Sequence, residues 1–226
     1  MVKFFAENLT VFKRVAFPLF VLLVLSSNID QFLNQQVETA LRNPLGATPQ
    51  VYWFGFLSII SSILFPILLI TTALYSMRYK QVATSLSDFY ARYINQVFIE
   101  TLRTWGKTLL WGLLFILPGI WKFLEYSMVP FVVTGSQRYD EGKIDALQAS
   151  ARVFRKHWFK ITGILILFHL FIPLILTSLF DSYRLLWKTP VPSLVLNLLD
   201  TYLLIISTQL LFNVFQDEVK RHESHV

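Results

Sequence analysis

Long apolar stretches alternate with short polar stretches along this chain, and the apolar stretches indicate its class. Residues 51–75 are apolar or small on every helical face, unlike the striped pattern of a helix at a water-facing surface. A helix that rises about 1.5 Å per residue needs about twenty residues to cross hydrocarbon, and several stretches approach that length. The pattern predicts an all-α, polytopic integral membrane protein, a helical bundle that forms a single membrane domain over residues 1–226.

Six membrane segments and two amphipathic helices are predicted. The segments cover residues 12–27, 51–75, 99–117, 120–137, 159–180 and 194–215. Residues 82–98 and 141–157 have apolar positions at helical spacing and charges elsewhere, as helices at the cytoplasmic membrane interface do. Ser85 and Asp88 have the spacing of a helix N-terminal cap. The polar residues 28–50 are expected to form a loop.

The apolar region 109–133 either crosses the membrane once with a kink or turns back as a hairpin at Pro118-Gly119. Proline lacks an amide hydrogen and glycine accepts unusual backbone angles, so both suit a turn at membrane depth. Lysine and arginine near span ends collect on the cytoplasmic side. A single span divides them almost evenly, whereas the hairpin leaves only three outside, Arg42, Arg184 and Lys188. We therefore predict the hairpin, with both termini cytoplasmic.

Composition and charge narrow the expected partners. The chain is 54% hydrophobic, has no cysteine and carries a net charge of +6. Because the basic residues flank membrane segments, anionic lipid headgroups explain them better than nucleic acid does. A membrane-protein partner or a second copy of the chain is the alternative occupant. The predicted basic surface for lipid or partner consists of Arg92, Lys107, Arg138, Lys143, Arg152, Arg155, Lys156 and Lys160.

Lys122 and Glu125 stand out because they follow the Pro-Gly pair within an apolar region. They are three residues apart, so they share a helix face and could pair, which would lower the cost of burying either. Alternatively, the hairpin tip lies near the outer headgroups and Lys122 extends its amine into them. Pro118, Gly119, Lys122 and Glu125 form one candidate site.

Three further polar residues lie inside predicted segments. His169 precedes Pro173 by four residues, so it either bonds to the carbonyl that proline leaves free or relays protons. Gln209 and Asn213 are four residues apart on one face, where they either join helices by hydrogen bonds or line a substrate path. These three residues form a candidate intramembrane polar site.

The chain contains no familiar catalytic motif. The chain has no HExxH zinc motif, no nucleophile elbow and no phosphate-cradling glycine loop. No metal site and no cofactor are predicted, and the chain is not expected to be an enzyme.

One stretch resembles a known family. The residues Pro118-Gly119-Ile120, Tyr126, Pro130, Gly142, Ala146-Leu147 and Ser150 resemble a pattern shared by the YciC-like bacterial membrane proteins and the membrane domain beside some glycerophosphodiester phosphodiesterases. The resemblance covers about residues 105–163. It implies a six-helix protein of the bacterial inner membrane, in a family whose members mostly have no established activity.

Three functions remain open from the sequence. The first is a non-catalytic membrane protein whose basic cytoplasmic face associates with anionic lipid or a protein partner. The second is a small transporter or lipid-handling permease that uses the broken helix at Pro118-Gly119. An enzyme acting on lipid headgroups is the third. The first predicts sensitivity to charge reversal at Arg152 and Arg155, whereas the second predicts sensitivity at Lys122 and Glu125.

Overall fold

The computed structural model describes residues 2–42, 49–78, 85–186 and 189–223, and within these ranges it is helical without strands. A π-helical turn, Leu167–Phe171, joins the seventh helix to the eighth. The helices in chain order are α1 (Val2–Arg42), α2 (Pro49–Arg78), α3 (Leu86–Leu114), α4 (Ile116–Glu125), α5 (Val129–Gly135), α6 (Gln137–Asp140), α7 (Ala146–Ile166), α8 (Ile172–Leu186) and α9 (Val191–Glu223).

Five stretches of the described helices are long and apolar enough to cross a membrane. They are Glu7–Arg42, Pro49–Met77, Ile116–Gly135, Ala146–Phe180 and Val191–Val219. Large apolar side chains on them are widely exposed, Phe17 by 87%, and hydrocarbon is the solvent that suits such a surface. The predicted all-α class with several membrane-span candidates is therefore confirmed. The count of six segments and the membrane hairpin remain predictions.

The helices form two compact units, and the single membrane domain stays a prediction. One unit comprises Met1–Leu69 and Phe168–Leu204, and the other comprises Ile70–Leu167 and Ile205–Val226. In the first unit, Phe12 of α1 packs edge-to-face on Tyr202 of α9. The core of the second unit is formed by Phe89, Tyr93, Val97, Val129, Phe131, Val133, Leu147, Phe154 and Phe215.

Two predicted boundaries differ from the structure because polar sequence continues a helix. α1 runs through residues 28–42, which were expected to form a loop. Glutamine, glutamate, leucine and alanine in that stretch all favour helix, and no glycine or proline interrupts it. α3 likewise continues from Leu86 to Leu114 without a break between the predicted interfacial helix and the predicted third segment. Ser85 caps α3, its Oγ accepting a hydrogen bond from the Asp88 amide at 3.2 Å.

The chain turns at Phe115, three residues before the predicted position. Phe115 has extended backbone angles, φ −154° and ψ 134°, between α3 and α4. Pro118 lies in the first turn of α4, where its missing amide hydrogen costs no hydrogen bond. Gly119 faces α3: a Cβ there would lie 2.6 Å from the Cα of Gly112. The glycine therefore permits close helix packing and does not itself form the turn.

The predicted fourth segment, residues 120–137, is not one helix. α4 ends at Glu125, and α5 begins at Val129 with Pro130 in its first turn. α5 is buried in the core of the second unit, with Val129, Phe131 and Val133 at most 3% exposed. Ile116–Gly135 thus has the length of a span but not its continuity.

The second predicted amphipathic helix begins later than expected, and its helix bends where the fifth segment was predicted to follow. α7 starts at Ala146 rather than at residue 141, and at His157 it has non-helical angles, φ −122° and ψ 24°. The π-helical turn, which contains His169, follows α7 immediately and precedes Pro173. Because proline cannot donate to the carbonyl four residues earlier, a wider turn accommodates it.

Asp145 caps α7 and supplies a testable effect of pH. Its carboxylate accepts a hydrogen bond from the Gln148 amide at 3.0 Å and lies 2.6 Å from Arg103 Nη1. Partial burial raises the pKa of Asp145, but the hydrogen bonds from Gln148 and Arg103 outweigh it and leave the pKa below its ordinary value. The charged form therefore stabilises the fold above the ordinary aspartate pKa, and this contribution is lost as the pH falls through the lowered pKa.

Replacing Asp145 by alanine is expected to lower the free energy of unfolding by about 1 kcal/mol more than replacing it by asparagine does, because asparagine still caps the helix. The free energy of unfolding of Asp145→Asn should be lower than that of wild type near neutral pH, and the two values should converge in acid. Detergent-solubilised protein unfolded at several pH values provides the measurement. Equal losses for alanine and asparagine would contradict the capping role.

Candidate functional site

A cavity of about 440 Å³ in the second unit brings together residues from α3, α4 and α7. We call it the basic cavity, because cationic side chains dominate its lining. Its lining residues are Lys107, Lys122, Glu125, Tyr126, Leu147, Gln148, Ala151, Arg152 and Arg155. Four cations around one carboxylate leave an excess of positive charge, so the cavity favours an anion.

Glu125 is the buried centre of this cavity, with its side chain 1% exposed. Its carboxylate accepts hydrogen bonds from Lys122 Nζ at 2.6 Å, from Arg155 Nε at 2.9 Å and from Trp121 Nε1 at 3.3 Å. A buried carboxylate needs such charged donors to remain ionised. Glu125 therefore fixes two cations in place while neutralising only part of their charge.

The backbone around Glu125 is anchored to α7. Ser150, fully buried, donates a hydrogen bond to the Glu125 carbonyl at 2.7 Å and accepts one from the Met128 amide at 3.2 Å. Trp121, one turn before Glu125 on α4, packs edge-to-face on Phe154, one turn after Ser150 on α7. These contacts run in opposite directions along α4 and α7, so the two helices are antiparallel here.

The predicted basic surface separates into paired and unpaired cations. Ion pairs join Arg92 to Asp140 at 3.1 Å, Lys143 to Glu141 at 2.7 Å, Arg155 to Glu125 at 2.9 Å and Lys156 to Glu218 at 2.8 Å. Lys107, Arg138, Arg152 and Lys160 form no ion pair within the described part of the chain. Two of these four, Lys107 and Arg152, line the basic cavity, where they remain able to bind a ligand.

A larger cavity, of about 910 Å³, lies beside the basic cavity and shares Arg152 with it. Arg138 lines it together with three carboxylates, Asp140, Glu141 and Glu218. Its charges are therefore mixed, and Asp140 and Glu218 are already held by other cations. The larger cavity therefore lacks the excess of positive charge that the basic cavity has.

The predicted intramembrane polar residues are divided between the two units. His169 belongs to the first unit and is exposed on the π-helical turn. Gln209 and Asn213 belong to the second, where Gln209 is half-buried and Asn213 is exposed. The Gln209 side-chain oxygen has no hydrogen-bond partner among the described residues.

Sequence reasoning missed the residues that act across long sequence separations. Ser150 was noted only within a family pattern, and Glu218, which accepts from Lys156 and contacts His157 at 3.1 Å, was not considered. Asp30 in the first unit was also missed. It accepts hydrogen bonds from Ser58 at 3.3 Å and Asn197 at 3.5 Å. No spacing rule within one helix could reveal these pairs.

Neither metal geometry nor relatives assign a function to this site. Within the described ranges, no group of three or more histidine, cysteine, aspartate or glutamate side chains could hold a metal ion. No protein-family model, no curated protein and no solved structure matches this chain. The resemblance to the YciC-like proteins therefore stays a prediction.

Proposed function

We propose that this chain is a non-catalytic protein of the bacterial inner membrane that holds anionic lipid at its cytoplasmic face. The observation that supports this most is the basic cavity, in which Lys107, Lys122, Arg152 and Arg155 surround one carboxylate. A phosphate group in the cavity would balance the excess positive charge, and guanidinium groups match phosphate oxygens in geometry.

The proposed topology puts the basic cavity where lipid headgroups lie. The α3–α4 region returns the chain to the side from which it came, so both termini are cytoplasmic and most basic residues are inside. Lys107 and Arg152 then face the anionic cytoplasmic leaflet, where each lysine or arginine contributes about 1 kcal/mol of attraction.

The same cavity changes how the transporter alternative can be tested. Lys122 and Glu125, expected to serve transport, line it together with Arg152 and Arg155, expected to serve lipid association. Substitutions in the two groups therefore no longer probe separate sites. Lys107 and Arg152 are the better probes, because they are exposed and hold no carboxylate within the described ranges.

Native mass spectrometry of the detergent-solubilised protein tests the proposal. We expect wild type to retain phosphatidylglycerol over phosphatidylcholine, and Lys107→Gln and Arg152→Gln each to weaken this retention about fivefold, equivalent to about 1 kcal/mol. Lys143→Gln is the matched control, since Lys143 is exposed, paired with Glu141 and absent from the cavity lining.

Two outcomes would overturn the proposal. The first is equal loss of phosphatidylglycerol from the control and the cavity variants, which would indicate general charge attraction. The second is binding of inorganic phosphate to the cavity without selective retention of phosphatidylglycerol, which would identify a soluble anion as the ligand.

A further inference from the structure

The tip formed by the end of α3, the turn at Phe115 and the start of α4 is apolar and faces outward. Between Lys107 and Lys122 the chain has no ionisable residue. Leu113, Phe115, Ile116 and Leu117 are between 70% and 85% exposed. We define residues 108–121 as the apolar tip. A contiguous exposed surface of this kind requires an apolar environment.

The apolar tip is too short to cross a bilayer. Each arm has about seven residues between the turn and the nearest lysine, so at about 1.5 Å per residue it reaches at most about 10 Å. A hydrocarbon core is about 30 Å thick, and one leaflet contributes about 15 Å. Tilting the arms would only reduce their depth.

The charged residues at the base of the apolar tip determine how deep the tip can lie in the membrane. Lys107 and Lys122 line the basic cavity together with Glu125 and Arg155, so both arms leave the apolar region at the same place. A crossing hairpin would carry this whole ionised cluster into hydrocarbon, which is costly even for paired charges. A partly inserted hairpin leaves the cluster at the headgroups.

Neither arm of the hairpin continues as a lipid-facing helix beyond Lys107 or Lys122. On the α3 side, Glu100 and Arg103 lie within the two turns before Lys107, and Arg103 is paired with Asp145. On the α4 side, the helix ends at Glu125 and the following α5 is buried in protein. The described α3 is also not among the five membrane-span candidates.

We infer that the apolar tip is a re-entrant hairpin that inserts into the acyl chains of the cytoplasmic leaflet and returns without crossing. The tip reaches about two thirds of the way through that leaflet. The membrane is then crossed by α1, α2, the α7–α8 stretch and α9, and the hairpin enters only the cytoplasmic leaflet. This inference rests on the proposed membrane embedding but does not depend on lipid retention in the basic cavity.

Depth-dependent fluorescence quenching tests the inference. The chain has no cysteine, so Leu109→Cys and Leu117→Cys each give one site for an NBD label, and both positions are more than 60% exposed. The full-length variants are reconstituted in phosphatidylcholine and phosphatidylglycerol vesicles containing spin-labelled lipid, with the nitroxide either at the headgroup or at acyl carbon 12.

We expect the label at position 117 to lie about 7 Å from the bilayer centre and to lose more fluorescence to the acyl-chain nitroxide. The label at position 109 should lie nearer the headgroups and lose more to the headgroup nitroxide. A label at Leu64→Cys, in the middle of α2, provides the reference for a deep position.

The reverse order would overturn the inference, because in a crossing hairpin position 109 is deep and position 117 lies at the opposite headgroups. Absence of quenching at position 117 would also overturn it, since the tip would then face water or protein. Unchanged phosphatidylglycerol retention in the separate Lys107→Gln and Arg152→Gln experiment would overturn only the lipid-binding proposal. The two failures can therefore be distinguished.

Discussion

Glu125→Gln is expected to lower the free energy of unfolding by about 2–3 kcal/mol, one of the two largest effects predicted for this chain. Glutamine cannot balance Lys122 and Arg155, whose amine and guanidinium nitrogens lie 2.6 Å and 2.9 Å from the carboxylate. The Lys122 side chain is 22% exposed, so its charge would remain partly buried without a counterion. Unfolding by SDS in mixed micelles, followed by circular dichroism, measures the loss.

Two control variants separate this charge effect from a change of packing. Lys122→Met combined with Glu125→Leu removes both partners, so it should be less destabilising than Glu125→Gln alone. Arg155→Gln should cost no more than about 1 kcal/mol, because the Arg155 side chain is 67% exposed and water can replace its partner. A Glu125→Gln variant as stable as wild type would show that the carboxylate does not hold α4 and α7 together.

Gly119→Ala is expected to destabilise the protein by about 1–3 kcal/mol, because an added Cβ would meet backbone. That Cβ would lie 2.6 Å from the Cα and 2.9 Å from the amide nitrogen of Gly112, and backbone cannot move aside as a side chain can. α3 and α4 would have to separate. The free energy of unfolding in mixed micelles again provides the measurement.

Gly112→Ala is the matched control for this packing prediction. No atom lies within 4 Å of a Cβ added at Gly112, so the substitution should be neutral or should stabilise the helix by about 0.5–1 kcal/mol. A Cβ at Gly119 would point at Gly112, whereas a Cβ at Gly112 would point into open space, so the two substitutions are predicted to have opposite signs. Equal responses would contradict the close approach of α3 and α4.

The sequence predicted the class of this fold well, because hydropathy reports directly on the solvent around a helix. Boundaries were less predictable. Residues 28–42 are polar yet helical in α1, and polarity alone cannot distinguish a loop from a helix that extends into water. The turn at Phe115 carries no turn residue, whereas Pro118 and Gly119 mark a place where a break would be tolerated. The helix can therefore continue through a position where a break would be tolerated.

The candidate site was predictable only where its residues share one helix. The three-residue spacing of Lys122 and Glu125 suggested a pair from the sequence. Arg155 reaches the same carboxylate from thirty residues away, and Lys107 joins the cavity from another helix. Contacts of this kind depend on how α3, α4 and α7 pack. The periodic patterns of one sequence contain no direct signal of that packing.

Asp30 has a consequence for how the helices of the first unit can move. Its carboxylate accepts hydrogen bonds from Ser58 on α2 and Asn197 on α9, and Asn197 also donates to Ser27 at 2.9 Å. A screw displacement of α1 by one residue would rotate Asp30 by about 100° and break its hydrogen bonds to Ser58 and Asn197. These hydrogen bonds therefore fix the rotation of α1 about its axis. A gradual screw displacement of that helix is unfavourable, because it would break them.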